Sequence, residues 1–232
     1  MRSGRRRVIV WGAGGHGKVT VDALLAGDTY EVVGVADDDE RKAGTTILGL
    51  RVLDSSGGLA ELASRIDFDA VAVAIGDNYI RGQKFQEMRE LGFEAVNVIH
   101  PTAHISRFVE LGRGVTILAG ATINPGTVIE DNACVNTSAS VDHDNRLRNS
   151  CHVFPNATLA GSVHVGEYAC IGSGAVVVPN MTIHSHSYVG AGAVVLKDVP
   201  EGVVVAGNPA AEIRLQPKRP NQQRRTACLS KP

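Results

Sequence analysis

His143 is the residue whose surroundings most clearly prepare it for chemistry. It stands in Val141-Asp142-His143-Asp144-Asn145, with a carboxylate on either side. A histidine so placed is equipped as a general base, because the carboxylate holds the tautomer, raises basicity and stabilises the imidazolium as it forms. Eighteen residues on comes Gly161, in Ala160-Gly161-Ser162. If the chain stacks on itself at that spacing, a backbone N–H with no side chain faces the histidine and can meet a developing oxyanion. His152, nine residues after His143, joins the same neighbourhood if two copies of the chain meet side by side. His164, His184 and His186 have no comparable neighbours and read as surface residues. None of the four cysteines (Cys134, Cys151, Cys170, Cys228) adjoins a base, so nothing points to a covalent acyl-enzyme.

A second set of residues suits anion binding. Gly12-x-Gly14-x-x-Gly17 follows an apolar strand and opens a helix, and Asp37 comes twenty residues after Gly17. Such a loop brings backbone close to a diphosphate at a helix N-terminus, with a carboxylate beyond the second strand for hydroxyl or amide donors. A dinucleotide would need a second βαβ half, which the sequence leaves no room for. The loop therefore reads as a mononucleotide-diphosphate site for a nucleotide-linked sugar. His16 is unusual in an NAD loop and could donate to a phosphate or ring hydroxyl.

Two kinds of scaffold must position these groups. From Ile99 to Val195 every sixth residue is aliphatic, seventeen in succession without a slip. A small residue often follows four positions later (Ala121, Ala133, Ala139, Ala157) and a turn former two positions later (Pro101, Pro125, Pro155). Six fits neither a helix nor a hairpin sheet, but it does fit a short strand and a corner. Three such sides close a coil of eighteen residues, and each coil buries its face against the next. Before it, strands at 7–11, 31–36, 47–53 and 70–75 alternate with helices to about Ala26, at 59–65 and at 79–91, and a last strand at 95–99 leads into the coil. That alternation predicts a small parallel α/β sheet covered on both faces. The expected division is a half-Rossmann domain over 1–97, the coil over 98–214, and a basic tail without periodicity over 215–232, read as disordered.

Composition narrows the class. Net charge is −1 at pH 7, hydrophobic residues make up 44% and aromatics 4%. Neither a nucleic-acid surface nor a membrane surface is favoured by such a balance. The basic start Arg5-Arg6-Arg7 precedes only four apolar residues, too few for a signal-peptide core. With no CxxC pair, the expectation is a cytoplasmic, reduced protein.

Taken jointly, several motifs carry a resemblance over roughly residues 7–214. They are Gly12-Ala13-Gly14-Gly15-His16-Gly17, Asp37-Asp38, Ala74-Ile75-Gly76-Asp77-Asn78-Tyr79-Ile80-Arg81, Ile99-His100-Pro101, the hexads through Asn136 to Asp144, and Val205-Ala206-Gly207-Asn208-Pro209-Ala210. The chain resembles the bacterial hexapeptide-repeat sugar O/N-acyltransferases, which include UDP-4-amino-sugar N-acetyltransferases and sialic acid O-acetyltransferases. The resemblance implies a left-handed parallel β-helix and a homotrimer, with acetyl-CoA between adjacent coils and the nucleotide sugar on the N-terminal domain. It also implies that His143 is the general base with Asp144 its partner, and that His152 and the Gly161 amide lie at the thioester. Ser173 and Ala191 would line the CoA channel, Ala191 standing where relatives have glycine, and Gly14, Gly15, His16, Asp37, Asp38 and Gly76 would hold the nucleotide. Some coils of this kind hold zinc through histidines five residues apart; no pair here has that spacing, and no metal is expected. The function expected is N-acetylation of the 4-amino group of a nucleotide-linked sugar, UDP-linked by preference. The alternatives are O-acetylation of sialic acid or a related sugar, a GDP- or dTDP-linked amino sugar as acceptor, and a non-catalytic nucleotide-sugar-binding trimer.

Overall fold

The computed structural model describes residues 4–216. The segment read as a disordered tail lies outside the described residues from Pro217 onward. The first domain is built on a six-stranded sheet in the order β3-β4-β2-β1-β5-β6. The strands are β1 (Arg6–Trp11), β2 (Tyr30–Asp37), β3 (Thr46–Ile47), β4 (Leu50–Asp54), β5 (Ala70–Val73) and β6 (Glu94–Ala95). Strand β1 lies inside the sheet and pairs in parallel with β2 and β5. Its alternate residues feed two cores. Val8 and Val10 pack with Val21 and Leu24 of helix α1 (Gly15–Ala26). Ile9 and Trp11 pack instead with Leu59 and Leu62 of α2 (Leu59–Arg65) and with Phe85 and Met88 of α3 (Asn78–Glu90). Where the sequence suggested one strand over 47–53, the chain forms a hairpin. Leu48 and Gly49, with φ of 48° and 82°, reverse it so that β3 runs antiparallel to β4.

The second domain is a three-sided parallel coil of two-residue strands from β7 (Val98–Ile99) to β23 (Val194–Val195). The final strand expected over 95–99 is thus two pieces: β6 completes the first sheet, whereas β7 already pairs with β10 (Thr116–Ile117) of the coil. Residues eighteen apart face each other throughout, as in Thr116 with Cys134 and Cys134 with His152. Three faces result. The first carries Cys134, His152 and Cys170; the second carries Val141, Leu159 and Val177; the third carries Leu147 and Val165. From Ile117 to Val189 the sixth-residue aliphatics are fully buried, together with Ala121, Ala133, Ala139 and Ala157 at the corners. Ile99 breaks the rule and is 41% exposed, because the first coil has a neighbouring coil on one side only.

The corners obey a second six-residue period. Every sixth residue from Gly114 to Gly192 takes a left-handed φ between 54° and 78°. Glycine, asparagine, serine and aspartate fill most of these positions, being the residues that tolerate it. Asp144 is one of them. The first face of the coil continues after Pro200. β24 (Val203–Ala206) extends the first face and β25 (Ala211–Leu215) returns antiparallel on it.

The two domains are closely joined. Val98 and Leu118 of the coil belong to the same apolar cluster as α1. A Cβ on Gly82 of α3 would stand 2.5 Å from Cε1 of Tyr168, so the helix approaches the coil as closely as a bare backbone allows.

Candidate active site

The corner between the second and third faces carries the proposed base. Nδ1 of His143 lies 2.8 Å from Oδ2 of Asp144, and both side chains are more than half exposed. The hydrogen bond with Asp144, with the charges of Asp142 and Asp144, outweighs desolvation and raises the imidazole pKa. Asp142 helps indirectly: its Oδ1 accepts from the His143 N–H and from Nδ2 of Asn124, both at 2.8 Å. These bonds hold the Asp142 carboxyl below its ordinary value. The Asn145 amide donates to the carbonyls of Asp142, His143 and Ala160, tying this corner to the next coil. Sequence reasoning gave Asn124 and Asn145 no role; Asn124 stands eighteen residues before Asp142 and Asn145 directly follows the Asp-His-Asp run, and those positions are the signals that could have marked them.

Gly161 lies directly against the imidazole. An added Cβ would be 2.5 Å from Cε1 and 2.6 Å from Nε2 of His143. Its carbonyl accepts from Asn180, while its N–H has no hydrogen-bond partner among the described residues. The base and a free amide donor are therefore adjacent.

The glycine loop forms one wall of a cleft of about 360 Å³, lined by Gly14, Gly15, His16, Asp37, Asp38 and Gly76 together with Trp11, Lys42 and Lys84. All six residues singled out for this site thus meet in one place. Gly14 caps α1, and the helix points its N-terminus into the cleft. Gly17 packs on the Gly12 carbonyl too closely for any side chain. The carboxylates, however, serve the loop itself. Asp37 accepts from the N–H groups of Ala13 at 2.7 Å and Asp39 at 3.0 Å and pairs with Lys42 at 2.9 Å. Asp38 accepts from Trp11 and Ser55 and pairs with Lys84 at 2.7 Å. Burial opposes ionisation of Asp38, but these donors prevail and hold its carboxyl below the usual range.

Between cleft and coil, His16 and His152 face each other with ring centroids 5.6 Å apart. Nε2 of His16 and Nδ1 of His152 are both buried without a hydrogen-bond partner. Asn136 Oδ1 accepts from the Thr137 N–H, which leaves its Nδ2 donating to Nε2 of His152 at 3.1 Å. The His152 proton consequently resides on Nδ1, beside the Gly76 backbone but outside ordinary hydrogen-bond geometry. Phe154 stacks on the same ring at 4.0 Å. Burial, then the cation of Arg81, lowers His16 to about 4, and the same two causes take His152 well below its ordinary value. Both rings are neutral at pH 7.

Within one chain these groups do not all converge. His152 is on the first face, whereas His143 and Gly161 occupy a corner of the second and third faces. Ser173 and Ala191 are exposed at a further corner, between the first and second faces, stacked through the Gly192 N–H to the Ser173 carbonyl at 2.9 Å. They do not continue the His143–Gly161 column, because Ser173 is twelve residues from Gly161 and only multiples of eighteen share a corner. Cys134, Cys151 and Cys170 are buried thiols that form no disulfide, and burial pushes the Cys134 thiol up to about 11. Among the described residues no group of three histidine, cysteine or acidic side chains could hold a metal ion, and no helix is long and apolar enough to cross a membrane.

Residues 7–88 match the family model of the PglD N-terminal domain. Over 223 residues, 90% of this chain and 96% of the relative, the sequence is 32% identical to GDP-perosamine N-acetyltransferase of Escherichia coli O157:H7. The chain belongs to the bacterial sugar N-acyltransferase family. Solved structures place this transferase among the same proteins. PerB from Caulobacter crescentus, solved in complex with CoA and GDP-perosamine, is 40% identical with a TM-score of 0.83, over 89% of this chain and 97% of that one. The acetyltransferase domain of PglB from Neisseria gonorrhoeae, in complex with acetyl coenzyme A, is 37% identical with a TM-score of 0.82, over 90% and 100%. The transferase accordingly has a Rossmann-like first domain and a left-handed β-helix as its second.

Proposed function

We propose that this transferase moves an acetyl group from acetyl-CoA to the 4-amino group of a nucleotide-linked sugar. The observation that carries the reading is the pairing of a carboxylate-tuned, exposed His143 with an unhindered Gly161 amide against its ring. His143 takes the proton from the sugar amine as its nitrogen forms a bond to the thioester carbon. The tetrahedral oxyanion accepts from the Gly161 N–H, and collapse of the intermediate breaks the C–S bond and releases CoA. Asp144 holds the imidazolium meanwhile.

The nucleotide is held by the glycine-loop cleft, with its diphosphate at the start of α1 near Gly14, Gly15 and His16. The relatives that match about nine-tenths of the chain and are named for a sugar act on GDP-perosamine, whereas those named for UDP-N-acetylglucosamine match 43% of it; we therefore put GDP ahead of UDP, reversing the order read from sequence. Since His143 and the His16–His152 pair occupy different faces of one coil, the working site takes them from neighbouring copies of a homotrimer. Acetyl-CoA lies in the groove between the copies, with Ser173 and Ala191 along it and the His152 Nδ1–H at the thioester.

The test is thiol release from acetyl-CoA with GDP-, UDP- and dTDP-linked 4-amino sugars and with free sialic acid. Rapid release with one nucleotide amino sugar, lost in His143→Ala, is the expected result. Release only with sialic acid would move the reaction to O-acetylation, and silence with every acceptor would favour a non-catalytic binding protein.

A further inference from the structure

Arg81 is the one large charged side chain among the most completely buried residues, at 1% exposure. Among the described residues no carboxylate approaches it; it has carbonyl oxygens only. Its Nη1 donates to Ile75 at 3.1 Å, Nη2 to Ser150 at 3.1 Å and Cys151 at 3.3 Å, and Nε to Asn132 at 3.3 Å. These acceptors lie on both sides of the domain junction. Ile75 immediately precedes Gly76 of the nucleotide cleft, and Cys151 immediately precedes His152. A buried cation with no counter-charge costs free energy, and a smaller donor would reach fewer of these four carbonyls. A planar fork that takes four carbonyls at once is what only arginine supplies.

We propose that Arg81 is a positioning residue of the transfer reaction: by clamping the Ile75 carbonyl to the coil it sets how the nucleotide loop, with His16 and Gly76, sits against His152, beside which the acceptor amine and thioester meet. This rests on the function proposed above. Its charge adds a second effect. The groups around it are His16 from α1, His152 and the thiols of Cys134, Cys151 and Cys170 from the coil, with Glu130 at longer range. The nearest bases are histidines, which burial first and then this cation keep unprotonated. The same field disfavours an ammonium, so the sugar amine is seated in its neutral, nucleophilic form. An acyl transfer to nitrogen needs that form.

Two variants separate the effects. Arg81→Met removes charge and clamp; its kcat is expected to fall about 10–100-fold, with the acid limb of the pH profile displaced to higher pH and the KM for acetyl-CoA within about twofold. Arg81→Lys keeps the charge but cannot span four carbonyls, so the limb stays while kcat falls. A folded Arg81→Met enzyme whose profile superimposes on the wild type would overturn the proposal. The independent readout is the ring 15N signals of His16 and His152 followed with pH in the full chain. In the wild type both are expected to remain neutral where exposed His143 titrates, and in Arg81→Lys both are expected to shift position. Should Arg81→Met fail to fold, unchanged ring signals in Arg81→Lys, or wild-type rings titrating together with His143, would equally sink the idea. These signals need no acceptor sugar, so a wrong substrate and a wrong role for Arg81 give different results.

Discussion

Gly161 leaves His143 with its ring against bare backbone: a Cβ there would come within 2.5 Å of the imidazole Cε1. The contact is with the far end of an exposed side chain, so the ring can swing away at little cost to the fold. Gly161→Ala is accordingly expected to melt close to the wild type while kcat drops about 100-fold, the usual penalty for displacing a reacting group by about an ångström. Thermal melts and steady-state kinetics on one preparation check both halves. Full activity would mean that the glycine is not required beside the base.

Asp144 makes a second prediction possible because asparagine is also at home in its left-handed conformation, φ 60°. Asp144→Asn should fold normally but lose the interaction that most raises the His143 pKa. A base works when deprotonated, so a lower pKa moves the acid limb of kcat/KM to lower pH. The weaker base and looser ring should also reduce the plateau, by about tenfold. An acid limb that stays in place would separate His143 from the titration.

Asp37 points to a different phenotype. Its carboxylate holds the glycine loop through the Ala13 N–H and Lys42. Asp37→Ala is expected to raise the KM for the nucleotide sugar about tenfold, leave the KM for acetyl-CoA unchanged, and cost about 1–3 kcal/mol of stability, the range for losing hydrogen bonds to a charged group. Urea titration and the two KM values test this. Equal rises in both KM values would argue for a general loss of structure.

Acidification should weaken the fold through His16. Folded His16 is lowered to about 4, whereas an unfolded histidine titrates near 6.5. The unfolded chain therefore binds the extra proton first. Stability from the buried neutral ring is complete above about pH 6.5 and is lost as pH falls from there toward 4, by about 2–3 kcal/mol. Urea midpoints at pH 7.5 and 5 should differ accordingly, and His16→Gln should reduce the difference. An unchanged gap in that variant would assign the acid sensitivity elsewhere.

Equivalent positions in the hexad series should respond unequally. Leu159→Ala, from a fully buried site inside the coil, should cost about 2–5 kcal/mol. Ile99→Ala, at the coil's open start and 41% exposed, should cost less than about 1.5 kcal/mol. Matching losses by urea unfolding would show that the first coil is covered by something more than its one neighbour.

The coil and its catalytic corner were legible in sequence because their contacts are periodic. Once eighteen residues make a turn, Gly161 must stack on His143 and Ile117 must face Val135. His143 and Asp144 are neighbours along the chain, so their pairing also needed no tertiary knowledge. The glycine loop was readable for a similar reason, since strand, turn and helix start lie within one short segment. Only the tertiary structure could decide what happens where the period ends. How the first domain is rotated on the coil determines that His16 meets His152, that Arg81 finds carbonyls at Ile75, Asn132, Ser150 and Cys151, and that Asp37 and Asp38 turn inward to the loop's own donors. No repeat relates those residues. Their meeting follows from side-chain packing across the junction, where Gly82 admits Tyr168, and that complementarity depends on shape in three dimensions rather than on spacing along the chain.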